Sequence, residues 1–363
     1  MVIRAKAAQK PVRTLKSPFS PRLLKKVQMQ GGARGEVQDV LTRTSQRRAR
    51  RGVPTKDGSP QTGLFQQPAI ARSARAFPWR GVVLTALRAA QATVKGLGAA
   101  AGQRVVARRE AGYRSWDPEV IGVDTATERA VIRVLERHGV AGTLLSEEAG
   151  ERPLGKRSGV SEPVYVVMDP FDGSLLYRRG IRAHWFTALG IHGTDGTPRA
   201  AGIVDHITGE IALADAAGAV RWPRPGARPV PLRPASTTKL DGAFLEAYMM
   251  KPLFLYATAT ALRPLFTRAM FVLPNGGPGG FADVAAGRID VYLACNEALT
   301  EVHSAAFIAE RAGCIITHWD GSPVRFTPDI HAVYNLVCSA NARLHRQVLR
   351  LLTTIQPPKG FAS

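Results

Sequence analysis

This 363-residue chain has no long apolar run and only three cysteines. The first absence removes any segment of the ~20 apolar residues that a membrane-spanning helix needs. Cys295, Cys314 and Cys338 are too few and too irregularly spaced for a disulfide framework or a zinc site. An odd, sparse set in apolar surroundings points to buried thiols in a reducing compartment. Acidic residues are also short: 28 Asp and Glu stand against 49 Lys and Arg, a net charge of +21. The imbalance is local. Residues 1–77 hold 17 Lys and Arg against Glu36, Asp39 and Asp57, which is +14 of the total. No aromatic residue interleaves the basic cluster QRRARRG at 46–52, so base stacking is not indicated.

Two regions follow from composition. Residues 1–77 show no sustained period and read as a disordered basic N-terminal extension. Three uses fit that composition: an organelle transit peptide, an arm holding nucleic acid or an anionic surface nonspecifically through phosphate contacts, or a dispensable tail. A cytoplasmic location is the expectation, with an organelle as the alternative if the extension is a transit peptide. Residues 78–363 have globular patterning and split into an N-terminal half to about 220 and a C-terminal α/β half from about 238. Helices are expected over 82–109, interrupted near Gly96-Leu97-Gly98, and over 125–138, where Thr125-Ala126-Thr127-Glu128 fits a capping box. Short strands are expected at 186–192, 200–205, 210–214, 269–273, 289–293, 314–317 and 332–338. Residues 220–237 read as a Pro/Arg-rich loop, and a final helix runs from an N-cap at Ser339 through Ile355. The order of elements implies a layered α/β (α+β) architecture.

The most informative segment is Val164 to Ser174, VYVVMDPFDGS. Its apolar start reads as a buried strand, which Pro170 and Gly173 bring to an end. Asp169 and Asp172 then project from one loop at a strand terminus, where open α/β sheets bind ligands. Such hard oxygen donors suit Mg²⁺. Standing alone, Asp-Pro-x-Asp-Gly is equally an ordinary turn sequence. Two further acidic segments flank it. Leu144-Leu145-Ser146-Glu147-Glu148 places paired acids after another short strand. Glu301 opens EVHSAAFIAERAG (301–313), a helix with Ala305, Ile308, Ala309 and Ala312 on one face, and helix N-termini favour anions.

These segments resemble, in order, the motifs of the inositol monophosphatase family within the lithium-sensitive, Mg²⁺-dependent sugar phosphatases, which include fructose-1,6-bisphosphatases. SEEAG (146–150), DPFDGS (169–174) and the 301–313 segment followed by Asp320-Gly321-Ser322-Pro323 carry the resemblance, which extends over roughly residues 80–355. It implies a layered α-β-α-β-α fold, a homodimer, and phosphomonoester hydrolysis on a small phosphorylated polyol or sugar. Inositol-1-phosphate would be the first substrate and fructose-1,6-bisphosphate the alternative. A degenerate member serving as a tethered interaction protein is the rival from another class. The resemblance further implies that Glu147, Asp169, Asp172, Glu301 and the Phe171 carbonyl hold two or three Mg²⁺ ions. Gly173 and Ser174 would cradle the phosphate, and Ser174 with Glu147 would orient the attacking water. By position, Glu128 would support the Ser174 hydroxyl or a further ion.

Three departures from the family pattern stand out. Thr300-Glu301 replaces Trp-Asp, a change shared with the fructose-1,6-bisphosphatase branch. Ser304-Ala305-Ala306 replaces Ala-Ala-Gly. Asn275-Gly276-Gly277-Pro278-Gly279-Gly280 replaces a helix start, and its glycines and proline predict a flexible loop. Arg178, Arg179 and Arg182 read as solvated surface residues, and His184, His303 and His318 lack zinc spacing.

Overall fold

The structure, a computed structural model, describes residues 77–109, 118–156 and 161–358. The expected basic extension, apart from Phe77, lies outside the described residues. In chain order the elements are α1 (Trp79–Gly96), α2 (Ala99–Gly102), β1 (Val105–Arg108), β2 (Glu119–Ile121), α3 (Gly122–Arg137), β3 (Gly142–Ser146), β4 (Gly150–Leu154), β5 (Val164–Asp172), α4 (Ser174–Arg178), β6 (Phe186–Gly193), β7 (Pro198–Asp205), β8 (Ile211–Asp215), β9 (Gly218–Trp222) and β10 (Val230–Pro231). There follow β11 (Phe244–Ala247), α5 (Pro252–Ala261), α6 (Arg263–Phe266), β12 (Phe271–Pro274), α7 (Pro278–Ala285), β13 (Val291–Leu293), β14 (Glu297–Ala298), α8 (Leu299–Ala312), β15 (Ile315–His318), β16 (Val333–Tyr334), β17 (Leu336–Ser339) and α9 (Ala342–Leu352).

Alternation along the strands fixes the layer order. An eight-stranded sheet runs β10-β9-β8-β7-β6-β5-β3-β4, and a five-stranded sheet runs β12-β11-β13-β17-β15. Successive strand residues point to opposite faces. Leu144, Val166, Met168, Leu189, Ile191, Val204 and Leu213 pack with Val83, Leu87, Val131 and Leu135 of α1 and α3. Their neighbours Leu145, Val167, Ala188, Ile203 and Ala212 face α7 and α8 on the other side. That second core continues through Val302, Ala305 and Ala309 of α8 to Tyr292, Ile316, Leu336 and Cys338 of the smaller sheet. Leu245, Val291, Leu293 and Val337 then face outward onto Leu262, Leu265, Leu344 and Val348. The result is the α-β-α-β-α layering, with α7 and α8 sandwiched between the sheets. All three cysteines are buried thiols, and no described helix is long and apolar enough to cross a membrane.

Several expectations change at element boundaries. Residues 105–108 leave the first helix and form β1, whose Val105 pairs with Ile121 of β2. The second helix begins at Gly122, because the Asp124 carboxylate accepts the Ile121 N–H at 2.7 Å, so the Thr125 capping box is not used. Part of the expected 220–237 loop pairs as β9 and β10, with Val220 opposite Leu213. The last helix is capped by Asn341, whose side chain accepts from the Leu344 N–H, while Ser339 stays in β17 and bonds His345.

The largest correction concerns 275–280. Residues 278–285 form α7, with Pro278 at the first helical position, where its missing N–H and fixed φ do no harm. The glycines serve close packing: a Cβ on Gly280 would run into the Tyr292 ring, and one on Gly279 would lie 2.8 Å from the Phe186 ring. Alanine at 280 would improve helix propensity by about 1 kcal/mol, whereas overpacking costs about 1–3 kcal/mol. Gly280→Ala should therefore lower stability, by ~1 kcal/mol in urea denaturation; a stabilised variant would show that the ring contact is soft.

Between the layers, His192 of β6 stacks on Phe326 at 4.2 Å and meets the edge of His303 at 5.8 Å. Burial holds His192 at about 4, against its usual 6.5. The folded state thus binds fewer protons than the unfolded chain between those values. The stability this provides is complete above pH 6.5 and is lost as pH falls through that window. His192→Phe should reduce the loss of unfolding free energy between pH 7 and pH 5 by about 2 kcal/mol. Equal losses in both proteins would assign the acid sensitivity elsewhere.

Candidate active site

The acidic residues converge because of strand register. β3 and β5 are parallel neighbours, with Ser146 opposite Met168, so the next residues, Glu147 just past β3 and Asp169 within β5, lie side by side; β5 does not stop at Pro170 as expected but runs through a register shift to Asp172. The Glu147 N–H bonds the Met168 carbonyl at 3.1 Å and fixes that exit. From the middle helical layer, the first turn of α8 brings in Glu301. One carboxylate oxygen from each of Glu147, Asp169 and Glu301 lies within 4.8 Å of the others, and all three residues are buried. Two full charges at that spacing repel by on the order of 3 kcal/mol in a protein-like dielectric. The arrangement is therefore suited to a cation, and its all-oxygen donor set matches Mg²⁺ or Mn²⁺ rather than a softer metal.

Beside this triad the DPFDGS loop is tightly held. Asp169 Oδ1 accepts the Phe171 N–H at 3.0 Å, and Thr187 donates to the Pro170 carbonyl at 2.7 Å. The Phe171 ring lies among Tyr177, Trp185 and His206. Gly173 adopts φ +97°, and a Cβ there would collide with the His184 carbonyl, so glycine is required twice over. The chain then turns into α4, whose first residue, Ser174, donates its hydroxyl to Asp124 Oδ1 at 2.6 Å and lies 3.0 Å from the Phe171 carbonyl.

Not every expected residue sits where the motif placed it. Glu128 does not reach the Ser174 hydroxyl; Asp124, one turn earlier on α3, takes that place. Glu128 instead accepts from the Ser146 hydroxyl at 2.5 Å and the Ala149 N–H at 3.1 Å, bracing the backbone around Glu147. Asp172 falls outside the compact triad and faces α7, its Oδ2 2.5 Å from where a Cβ on Gly277 would be. Arg178 pairs with Glu119 at the surface, and Arg179 and Arg182 are exposed. His303 is buried among His192, Phe326 and Tyr334.

Two site residues carried no signal in the motifs. Asp124 is one of them, although Asp124 and Glu128 at i and i+4 share a helical face. The other is Arg109, just after β1. Its guanidinium is 2% exposed and contacts Glu147 Oε1 at 3.0 Å and Glu148 Oε1 at 2.5 Å. Burial raises the Asp124 carboxyl to about 7, against the hydrogen bonds from Ser174 and Ile121 and the charge of Arg109. Glu148 is pushed to about 9, by burial first and then by Glu147 and Asp124, with Arg109 pulling the other way. Glu297, bonded by the Tyr292 hydroxyl, is raised well above the carboxylate range by burial and by Glu301. Among the described residues the site thus gathers several buried acids around Arg109, and a bound divalent cation would pull these carboxyls down again.

Comparison with known proteins agrees with this geometry. The model of the inositol monophosphatase family matches residues 79–356. No curated protein sequence matches the chain. Solved structures do: inositol monophosphatase from Anabaena (Nostoc) sp. is 22% identical, covering 77% of this chain and 96% of its own, with a TM-score of 0.57. Mycobacterium tuberculosis SuhB is 21% identical, covering 77% and 98%, with a TM-score of 0.59. The MJ0109 gene product, an inositol monophosphatase–fructose 1,6-bisphosphatase, is 19% identical, covering 75% and 99%, with a TM-score of 0.57. A family match over most of the chain, on a fold shared with these structures, means that this chain belongs to the inositol monophosphatase family.

Proposed function

We propose that the chain is a Mg²⁺-dependent phosphomonoesterase acting on a small polyol or sugar phosphate, with inositol-1-phosphate as the leading substrate. The observation that carries this reading is the buried convergence of Glu147, Asp169 and Glu301 beside a glycine turn that opens a helix at Ser174. Glu147, Asp169, Asp172, Glu301 and the Phe171 carbonyl would hold the ions. When bound, Mg²⁺ supplies charge stabilisation to phosphoryl oxygens and acidifies a water.

The protein groups then have separable tasks. Backbone N–H groups of Gly173 and Ser174 offer donors to the phosphate, which the absence of a side chain at 173 lets approach closely. The Ser174 hydroxyl donates its hydrogen bond to Asp124 Oδ1, which leaves Oγ lone pairs to accept a hydrogen bond from the attacking water. Asp124 thereby fixes the direction in which Ser174 orients that water. Glu128 holds Ser146 and Ala149 on either side of Glu147 and Glu148, so its task is to position the loop. Glutamate at 301, where the family pattern has aspartate, favours fructose-1,6-bisphosphate as the second substrate to test.

Phosphate release by the purified chain from inositol-1-phosphate, fructose-1,6-bisphosphate and adenosine 3′,5′-bisphosphate, with Mg²⁺ or Mn²⁺, tests the reading. Metal-dependent release is expected, and none from any substrate would leave only the non-catalytic, interaction-protein reading. Asp169→Asn should lower kcat/KM at least ~1000-fold, because several kcal/mol of charge stabilisation depend on the ions it holds. Its circular dichroism spectrum should be unchanged; retained turnover would put the chemistry elsewhere. Asp124→Asn should lower kcat by roughly 100-fold with little change in KM. Glu128→Gln, which removes a positioning contact, should have a smaller effect. The reverse ranking would return the hydroxyl-supporting role to Glu128.

A further inference from the structure

Glu246 and Asn275 form a buried polar pair that the proposed reaction does not use. Glu246 lies in β11 between Leu245 and Ala247, which face the outer core. Alternation along the strand therefore turns its side chain inward, toward the middle helical layer. There it is fully buried, and Asn275, just past the end of β12, is 1% exposed. The Asn275 N–H bonds the Ala247 carbonyl at 3.0 Å, and its side-chain Nδ2 donates to Glu246 Oε1. The two other oxygens of the pair, Glu246 Oε2 and Asn275 Oδ1, are buried with no hydrogen-bond partner among the described residues. Buried polar atoms are rarely left so, and a buried carboxylate needs a counter-charge. The elements packed around Glu246 present Tyr292, opposite on β13 with its hydroxyl turned to Glu297, and Asp283 of α7, an acid paired with Arg288. Burial pushes the Glu246 carboxyl to about 8, with Asp283 acting in the same direction and the Asn275 hydrogen bond against it.

One proton satisfies both oxygens. A carboxylic acid has the donor that a carboxylate lacks, and a planar carboxyl and a planar carboxamide joined at one corner can close a second bond at the other. We propose that Glu246 is a neutral acid that donates from Oε2 to Asn275 Oδ1 while accepting from Asn275 Nδ2, and that this two-point pair positions the glycine-rich start of α7 against Asp172. The positioning role rests on the metal-dependent reading above. Asn275 leads directly into Gly276 and Gly277, and Gly277 caps α7 so close to Asp172 that a Cβ there would lie 2.5 Å from its Oδ2. Through its backbone N–H and its side chain, Asn275 ties this segment to β11, so the wall beside Asp172 takes its rigidity from the five-stranded sheet.

Infrared difference spectra of the full chain, wild type against Glu246→Gln, read the proton directly. The variant should lose a band of a protonated carboxyl at neutral pH; loss of a carboxylate band instead would overturn the proposal. Glutamine can make the same two bonds without a titrating proton. The folded state holds a proton that the unfolded chain gives up near 4.5, so the contribution of Glu246 to stability is complete below that value and is lost as pH rises to about 8. The melting temperature of Glu246→Gln should therefore rise relative to wild type across that window, and parallel curves would overturn the neutral pair. Half-saturating Mg²⁺ for phosphate release should stay within about twofold of wild type in Glu246→Gln and rise about tenfold in Glu246→Ala. An unaffected alanine variant, or a glutamine variant as impaired as the alanine one, would overturn the positioning role. Should the alanine variant fail to fold, Asn275→Leu, which removes both bonds from the other partner, is held to the same tenfold change. Absence of metal-dependent turnover in the wild type would overturn the functional reading and the positioning role with it, whereas the infrared and melting results decide the neutral pair by themselves.

Discussion

Carboxylates crowded within 4.8 Å of one another repel, and the rest of the molecule has to hold them together against that repulsion. The three main acids sit on rigid, separately anchored elements. Glu147 follows β3 and Asp169 lies in the neighbouring strand β5 of an eight-stranded sheet, and Glu301 sits in the first turn of a 14-residue helix packed between two sheets. None of them relies on a long loop for its position. A strand pair in parallel register places two side chains with little freedom to separate, and the core on both sides of that sheet opposes any splaying. Each buried Val, Leu or Ile contributes about 1.5–3 kcal/mol, so a few such contacts outweigh a pairwise repulsion of order 3 kcal/mol.

The same constraint explains the supporting polar groups. Asp169 is oriented through the Phe171 N–H, Ser174 through Asp124, and the Glu147 loop through Glu128 and Arg109. These contacts are all short in space and mostly long in sequence. Each is a hydrogen bond to a charged group, stronger than a neutral one, and each limits a rotamer that repulsion would otherwise change. Thr187 reaches the Pro170 carbonyl from the adjacent strand, which extends the bracing to the backbone of the DPFDGS segment.

Much of this was legible in the sequence, for identifiable reasons. The apolar run before Asp169, the glycine at 173 and the helical face of 301–312 are local signals, and each predicted its element. The acids at 147, 169 and 301 were recognisable because each belongs to a short motif that resembles the family's pattern in order. What failed was the assignment of partners. Glu128 and Asp124 share a helical face, and nothing in the sequence says which one lies over Ser174. That is decided by the start of α3 at Gly122, set by Asp124 capping its own helix through the Ile121 N–H. Arg109 was invisible for another reason: the carboxylates of Glu147 and Glu148 that it contacts lie 38 and 39 residues away, and one arginine among 49 basic residues carries no pattern. The strands at 105–108 and 218–222 were missed because tertiary pairing overrode weak local preference.

The glycine-rich start of α7 shows why composition misled most where packing was tightest. Four glycines and a proline in six residues read as a flexible loop, since each glycine loses about 1 kcal/mol of helix propensity against alanine. Here the helix is paid for by its surroundings. Gly276, Gly279 and Gly280 lie against the rings of Tyr248, Phe186 and Tyr292, and the absence of Cβ atoms lets α7 settle between the two sheets. Phe186 opens the strand after the DPFDGS loop, and Tyr292 carries the hydroxyl that holds Glu297. Gly277 leaves room for the Asp172 carboxylate. The segment that departs furthest from the family pattern thus contacts Asp172 of the DPFDGS segment on one side and the aromatic support of a buried acid near Glu301 on the other. A rigid wall of backbone there shapes the space next to Asp172 without side chains of its own.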